Sequence, residues 1–116
     1  MALAQITELR RLKLRERSRV LGQFLIHELR ALKSPTLKLA VRGAGLMVGL
    51  QLTHRDGSPA TEESLTIIKR LLHRGFIFLP EGEHANVIGF TPPITISRAQ
   101  LRTAVNALAM ELRRFS

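Results

Sequence analysis

The 116-residue chain has no cysteine, no tryptophan and no tyrosine. The lack of cysteine excludes a disulfide scaffold, a thiolate zinc site and a cysteine nucleophile, and it fits the reducing cytoplasm, where we expect the protein to act. Tryptophan and tyrosine are common platforms for base stacking, and the five phenylalanines lie in apolar stretches. The sequence therefore has few aromatic side chains on which the bases of a nucleic acid could stack.

The sequence also lacks a long apolar run. No stretch approaches the ~20 residues that cross a bilayer, and the first residues do not show the basic-then-apolar order of a secretory signal. We therefore expect no membrane segment and no membrane partner. With 45% hydrophobic and 23% charged residues, the composition predicts one folded domain rather than a disordered chain.

Acidic residues are scarce, with nine against eighteen basic residues, and the net charge is +9. Residues 1–33 carry +5 of this charge and the other 83 residues carry +4. A basic chain is a candidate for binding a polyanion. Because the charge is spread along the chain and stacking residues are few, a solvated basic surface is favoured over a nucleic-acid interface.

The spacing of apolar residues predicts the order α-β-β-α-β-β-α. A long amphipathic helix is predicted for residues 6–33, and two strands joined by a glycine-rich bend at Gly43–Gly45 follow it. A second helix is predicted from residue 60 or 61 to 73, with an apolar stripe of Leu65, Ile68, Leu71 and Leu72. Two short buried strands are predicted at 76–79 and 86–90, with a loop at 80–85 between them.

A capping box of Ser97 and Gln100 predicts the start of the last helix. Its apolar stripe would be Leu101, Ala104, Val105, Leu108 and Leu112. The fold class expected is α+β, with a long N-terminal helix and a small, mainly antiparallel sheet that carries helices on one face. We divide the chain into a linking helix, 1–33, and an α+β unit, 34–116, which together form one structural unit.

The chemistry-bearing residues do not form a complete active site by spacing. The four histidines lack the i, i+4 spacing of helical metal ligands, and Gly43-Ala44-Gly45 precedes a strand where a dinucleotide fingerprint needs a helix. The four lysines fall at positions typical of solvent-facing side chains. From residues alone we assign no catalytic, cofactor-binding or metal-binding residue.

Three segments in order do resemble a known family. Val41–Leu50, Leu71–Phe76 and Asn86–Ser97, with the helix around Arg17–Leu25, resemble the C-terminal small domain of class III pyridoxal-phosphate-dependent aminotransferases. This family includes the acetylornithine, ornithine and 4-aminobutyrate aminotransferases. The resemblance covers the chain from about Leu9 to Arg113.

The resemblance implies a domain of a fold type I enzyme that works with pyridoxal 5'-phosphate. It implies transfer of an amino group between an amine or amino acid and an oxo acid, usually by a homodimer. The large domain that supplies the Schiff-base lysine, the phosphate-binding loop and the acidic partner of the pyridine nitrogen has no counterpart in this sequence. We therefore expect a fragment that is inactive alone, does not bind the cofactor, and exposes an apolar face where its missing partners would pack.

One departure from the family falls at Gly89. Many relatives carry an arginine at this position, where it receives a substrate carboxylate or pairs with a glutamate of the large domain. Glycine offers neither charge nor side-chain donor, so we name Gly89 as the substrate-facing candidate and expect donors that do not need this contact, such as ω-amines. An equal alternative is that Gly89 only permits a close backbone approach.

Two other function classes stay open from the sequence. The first is a small basic nucleic-acid-binding module, which rests on charge alone. The second is a free-standing interaction module of similar fold, since fold does not fix function.

Overall fold

The computed structural model describes residues 2–115, with the side chains of residues 7–43 and 45–115. It contains three helices, α1 (Ala2–Arg30), α2 (Thr61–His73) and α3 (Arg98–Arg113). Four strands, β1 (Leu37–Ala44), β2 (Met47–His54), β3 (Leu79–Glu81) and β4 (Val87–Phe90), complete the fold. The predicted order of elements and the α+β class are confirmed. None of the helices in the described range has the length and apolarity that a bilayer span requires.

The four strands form one antiparallel sheet in the order β1-β2-β4-β3. β1 and β2 are a hairpin in which Ala44 pairs with Met47, so only residues 45 and 46 make the turn. Gly45 has φ +57°, a left-handed conformation that glycine adopts without steric cost. The turn is thus tighter than the predicted bend, and Gly43 belongs to the strand.

The helices cover one face of the sheet, as predicted. Residues at every second position of β2 and β4 point toward them, because side chains alternate between faces along a strand. The buried apolar side chains of these two strands are Val48, Leu50, Leu52, Ile88 and Phe90. They pack in a single core with Leu21, Leu25 and Leu29 of α1 and with the predicted stripe of α3, of which Leu101, Val105, Leu108 and Leu112 are buried.

The two halves of α1 differ. The second half packs on the sheet, and a Cβ atom built on Gly22 would overlap the carbonyl group of Gly45, so glycine lets the hairpin turn approach the helix backbone. Residues 8–17 in the first half are all exposed, including Leu9, Leu12 and Leu14. The helix therefore extends beyond the core and gives the molecule its longest dimension, 58 Å.

The predicted strand at 76–79 is wrong, and part of the predicted loop at 80–85 is strand. Gly75 takes φ +90° and the backbone N–H groups of Gly75 and Phe76 donate to the carbonyl oxygens of Leu72 and Leu71, at 3.0 and 2.9 Å. This is a Schellman motif at the end of α2, and it occupies the backbone that strand pairing would need. Pairing therefore begins only at Leu79.

The predicted apolar stripe of α2 is confirmed for two of its four residues. Leu71 is fully buried and Ile68 packs against the core, but Leu65 and Leu72 are 44% and 57% exposed. Ser64 and Ile67 are fully buried in their place. The hydroxyl group of Ser64 donates to the carbonyl oxygen of Ala60 at 2.8 Å, so its polarity is satisfied inside the helix. The buried face of α2 therefore runs through Ser64, Ile67 and Leu71 rather than through Leu65 and Leu72.

Candidate functional site

The face of the sheet opposite the helices carries the residues that the core does not use. The register places Arg42 beside Gly49, and Gly49 beside Gly89, across three adjacent strands. Two neighbouring glycines remove the side chains from the middle of this face. The Val87 side chain lies over Gly49 and the Glu81 carboxylate lies over Gly89, so both glycines are buried. The depression that Arg42, Val87 and Glu81 line on this face is called the open-face groove.

Glu81 of β3 reaches over Gly89. A Cβ atom built on Gly89 would lie 2.5 Å from Oε1 and 2.9 Å from Oε2 of Glu81, which is closer than real Cβ contacts allow. Glycine at 89 therefore makes room for the Glu81 carboxylate above β4. An anionic side chain therefore covers Gly89, the residue that the sequence predicts to face the substrate.

The groove encloses a cavity of about 290 Å³. Its lining includes Arg42, Met47, Gly49, Glu81 and Thr91. Arg42 and Glu81 have opposite charges, and within the described residues neither makes a hydrogen bond or an ion pair. The open-face groove thus holds one free guanidinium group and one free carboxylate.

An apolar cleft of about 460 Å³ adjoins the groove at Thr91. The segment after α2 forms one wall, where Ile77 is 78% exposed, and Pro92 and Pro93 form the other. Arg17 fixes the segment that follows the prolines, since its Nε and a terminal amino group donate to the carbonyl oxygens of Ile94 and Ile96 at 2.8 and 3.0 Å. Ile77 and Met47, which is 71% exposed, give this part of the molecule an exposed apolar surface.

The histidine with the most polar partners is His54, at the end of β2. Its Nδ1 lies 2.9 Å from Oγ of Ser58, and its Nε2 pairs with Glu63. Ser58 donates from its hydroxyl and its backbone N–H to Asp56, which lowers the pKa of Asp56 below its ordinary value. These contacts close the turn between β2 and α2. Residues 2–115 gather no group of three metal-ligating side chains.

The described residues do not fit a pyridoxal phosphate site. Lys13, Lys33, Lys38 and Lys69 are all exposed, so none lies in a pocket that would desolvate its amine. A phosphate group binds well at a free helix N-terminus. The first turn of α2 carries Glu62 and Glu63, which repel an anion. The predicted Ser97–Gln100 capping box is confirmed, and it occupies the backbone N–H groups at the N-terminus of α3.

The arginines largely serve the fold. Side chains that bond to backbone carbonyls or pair with glutamates include Arg11, Arg17, Arg19, Arg55, Arg70, Arg74, Arg102 and Arg114. Three of them surround Glu111, which is 1% exposed on α3, at N–O distances of 3.5 to 3.7 Å. A basic chain of this kind does not need a polyanionic partner to explain its charge.

The sequence predicts Gly89 as a site residue but not Arg42, Gly49 or Glu81. Glu81 falls in the predicted loop because the strand before it is predicted to begin three residues too early. Gly49 carried a usable signal, since it is a glycine inside a predicted strand, where such a residue indicates a close approach of another group. Only the register shows that Gly49 and Gly89 are neighbours.

Comparison with known proteins gives a consistent set of relatives. An ornithine aminotransferase of Bacillus subtilis is 36% identical over 101 residues, which are 87% of this chain and 22% of that protein. A 5-aminovalerate aminotransferase of Pseudomonas aeruginosa is 37% identical over 114 residues, which are 93% of this chain and 26% of that protein. The chain thus spans about a quarter of the length of these relatives.

Solved structures show the same fold. A transaminase solved with L-alanine matches 96% of this chain and 27% of its own, with a TM-score of 0.76 and 28% identity. A phospholyase from Arthrobacter in complex with phosphoethanolamine matches 95% of this chain and 27% of its own, with a TM-score of 0.81. Its 24% identity supports likeness of fold alone.

The family model described as aminotransferase class III matches residues 1–112, nearly the whole chain. With the relatives above, this match identifies the chain as a member of the class III aminotransferase family.

Proposed function

We propose that this chain acts as the C-terminal small domain of a class III aminotransferase. The observation that carries the proposal is the family match over residues 1–112, in a chain that spans about a quarter of its relatives' length. Class III aminotransferases depend on pyridoxal phosphate, and the described residues do not fit that group. The proposal therefore assigns the Schiff-base lysine and the phosphate site to a large domain outside this chain.

The domain's contribution to the reaction is its open face. The helices already cover the opposite face, so the open-face groove is available to the rest of the enzyme, and the apolar cleft opens beside it against α3. We place this face toward the substrates, which are an amine or amino acid that donates the amino group and an oxo acid that accepts it. The exposed first half of α1 links the domain to its partner domain, and the working enzyme is a cytoplasmic homodimer.

A chimera tests the proposal. The full chain replaces the matching segment in the 5-aminovalerate aminotransferase of Pseudomonas aeruginosa, its 37% identical relative. The chimera is expected to transaminate, whereas the 116-residue chain alone and the truncated relative are not. A second chimera, in which Leu50→Asp disrupts the core of the same segment, controls for activity that does not need a folded small domain.

Two results would contradict the proposal. One is a chimera that folds and binds pyridoxal phosphate but shows no transfer with any amine or amino acid donor. The other is saturable pyridoxal phosphate binding by the isolated chain that is lost when one of its four lysines is changed to alanine.

A further inference from the structure

Arg17 joins the long helix α1 to the loop that borders the open face. We propose that Arg17 is a positioning residue for the reaction, which holds the loop between β4 and α3, residues 91–97, in the place that shapes the open-face groove and the apolar cleft. The inference deepens the proposed function and rests on it, because it names a residue on which access of the substrates to this face depends.

The Arg17 side chain makes two hydrogen bonds to the backbone of the loop. Its Nε donates to the carbonyl oxygen of Ile94 at 2.8 Å, and a terminal amino group donates to the carbonyl oxygen of Ile96 at 3.0 Å. A guanidinium group is planar and presents its N–H donors in a fixed fork. Because the two carbonyl groups stand two residues apart, the fork fixes the direction of the loop as well as its position.

The loop needs a contact of this kind because it has little structure of its own. Residues 91–97 form neither a helix nor a strand, and Pro92 and Pro93 have no backbone N–H group to donate. Within the loop, the N–H of Ile96 donates to the carbonyl oxygen of Pro93 at 2.9 Å and closes a turn. Arg17 contacts the same turn, since it binds the carbonyl group of Ile96.

Arg17 also stands on a rigid support. Leu21, one helical turn further along α1, is buried, and the helix stays packed on the core as far as Leu29. Arg17 is the last residue of the exposed first half of α1, the half that links the domain to its partner domain under the proposed function. The position of the loop is therefore set by the same helix that joins the two domains.

The loop borders both parts of the candidate site. Thr91 lines the open-face groove and the apolar cleft, and Pro92 and Pro93 line the cleft. Without the Arg17 contacts the loop samples other positions, and a substrate binds only the molecules in which the loop is in place. The apparent affinity then falls with the fraction of such molecules, whereas the bound complex reacts at its usual rate. A positioning role thus predicts a raised KM with little change in kcat.

The first measurement uses the full 116-residue chain. Amide hydrogen exchange is followed by NMR at Ile96 and, as an internal reference, at Ala60, whose N–H donates to the carbonyl oxygen of Leu52 at 3.1 Å. Arg17→Gln should speed exchange at Ile96 about tenfold, as loss of charge-assisted contacts predicts, and leave exchange at Ala60 unchanged. Arg15→Gln, a matched change on the same exposed half of α1, should alter neither rate.

The second measurement uses the chimera, with 5-aminovalerate as the donor. Arg17→Gln should raise the KM about three- to tenfold and change kcat by less than about twofold, whereas Arg15→Gln should change neither. Arg17→Lys keeps the positive charge and a donor, so it should recover part of the loss in both measurements. A merely structural role would lower the amount of folded enzyme, and so the apparent kcat, without raising the KM.

Two results would overturn the proposal: unchanged exchange at Ile96 in the Arg17→Gln chain, or faster exchange there with an unchanged KM in the chimera. Failure of the proposed function is a separate result. An inactive parent chimera rejects the proposed function, while the exchange measurement still decides whether Arg17 holds the loop. An active chimera whose Arg17→Gln variant keeps its KM rejects the positioning role alone.

Discussion

The two faces of the sheet are built from the same strands and have opposite properties. Along β2, Val48, Leu50 and Leu52 point to the helices and are buried, while Met47 and Gly49 lie on the other side. The helix face is completed by the chain's own residues. The open face carries glycines, two free charges and exposed apolar side chains, which is the pattern of a surface that a partner completes.

Under the proposed function, this difference separates residues that stabilise the fold from residues that contact the rest of the enzyme or its substrate. Changes on the helix face should act on stability, and changes on the open face should act on binding with little effect on stability. Each of the following experiments can break or sharpen that separation.

The largest effect is expected from Leu50→Ala. Leu50 is fully buried between the sheet and the helices, so truncation removes apolar contacts and leaves a cavity. The free energy of unfolding should fall by about 2–5 kcal/mol. Met47→Ala, a change of similar size on the open face, should leave it nearly unchanged. Urea unfolding followed by circular dichroism gives both values, and equal losses for the two variants would remove the distinction between the faces.

Glu111→Gln tests the charge cluster around the buried carboxylate of α3. The buried carboxylate faces Arg70, Arg74 and Arg114, and a neutral amide leaves these guanidinium groups without a counterion. A loss of about 1–3 kcal/mol in the free energy of unfolding is expected from the same unfolding measurement. Glu16→Gln removes an exposed glutamate–arginine pair on α1 and should change stability little. A Glu111 variant as stable as this control would show that the cluster contributes nothing.

Gly89→Arg acts on the open face. The new guanidinium would lie against the Glu81 carboxylate and add a positive charge that attracts a substrate carboxylate. In the chimera, the ratio of specificity constants for α-amino acid donors over ω-amine donors should rise about ten- to a hundredfold, with the free energy of unfolding little changed. A donor panel at saturating pyridoxal phosphate supplies the ratio. An unchanged ratio in the folded variant would leave Gly89 as a backbone accommodation only.

The smallest effect concerns Asp56, away from both faces. Hydrogen bonds from Ser58 lower its pKa in the folded chain, so the ionised carboxylate stabilises the turn. That contribution is present above the ordinary aspartate pKa and is lost as the pH falls through the lowered folded pKa. In the Asp56→Asn variant, the free energy of unfolding should fall less on acidification, because this contribution is missing at every pH. Unfolding curves between pH 6 and about pH 2 measure it, and identical acid profiles for both chains would contradict this role.

The sequence predicted most of the fold because local signals agreed with the tertiary structure. The Ser97–Gln100 capping box, the α3 stripe and the β1–β2 hairpin all follow from short-range patterns. The strand at 76–79 failed because the Schellman motif at Gly75 uses backbone groups that apolar side chains do not reveal. The α2 stripe was only half predicted, because Ser64 satisfies its hydroxyl group locally and occupies a core position that hydropathy assigned to Leu65 and Leu72.

The site was only partly predictable, for a physical reason. Gly89 stood out against the family, but the charges that define the groove come from β1 and β3, at opposite edges of the sheet. Their proximity depends on strand order and on Glu81 leaning over a glycine, and neither is encoded in local spacing. The fold could be inferred from neighbours along the chain, whereas the groove depends on neighbours across the sheet.

The most direct test asks which face meets the rest of the enzyme. The chain has no cysteine, so Met47→Cys on the open face and Met110→Cys on the helix side each give it a single thiol at an exposed methionine, and peptide mass spectrometry follows that thiol apart from any in the rest of the chimera. Thiol labelling rates are measured in the isolated chain and in the chimera. We predict fast labelling of both in the isolated chain, and protection of the Met47 position alone in the chimera. Equal labelling of the Met47 position in both proteins, or protection only at Met110, would contradict the account.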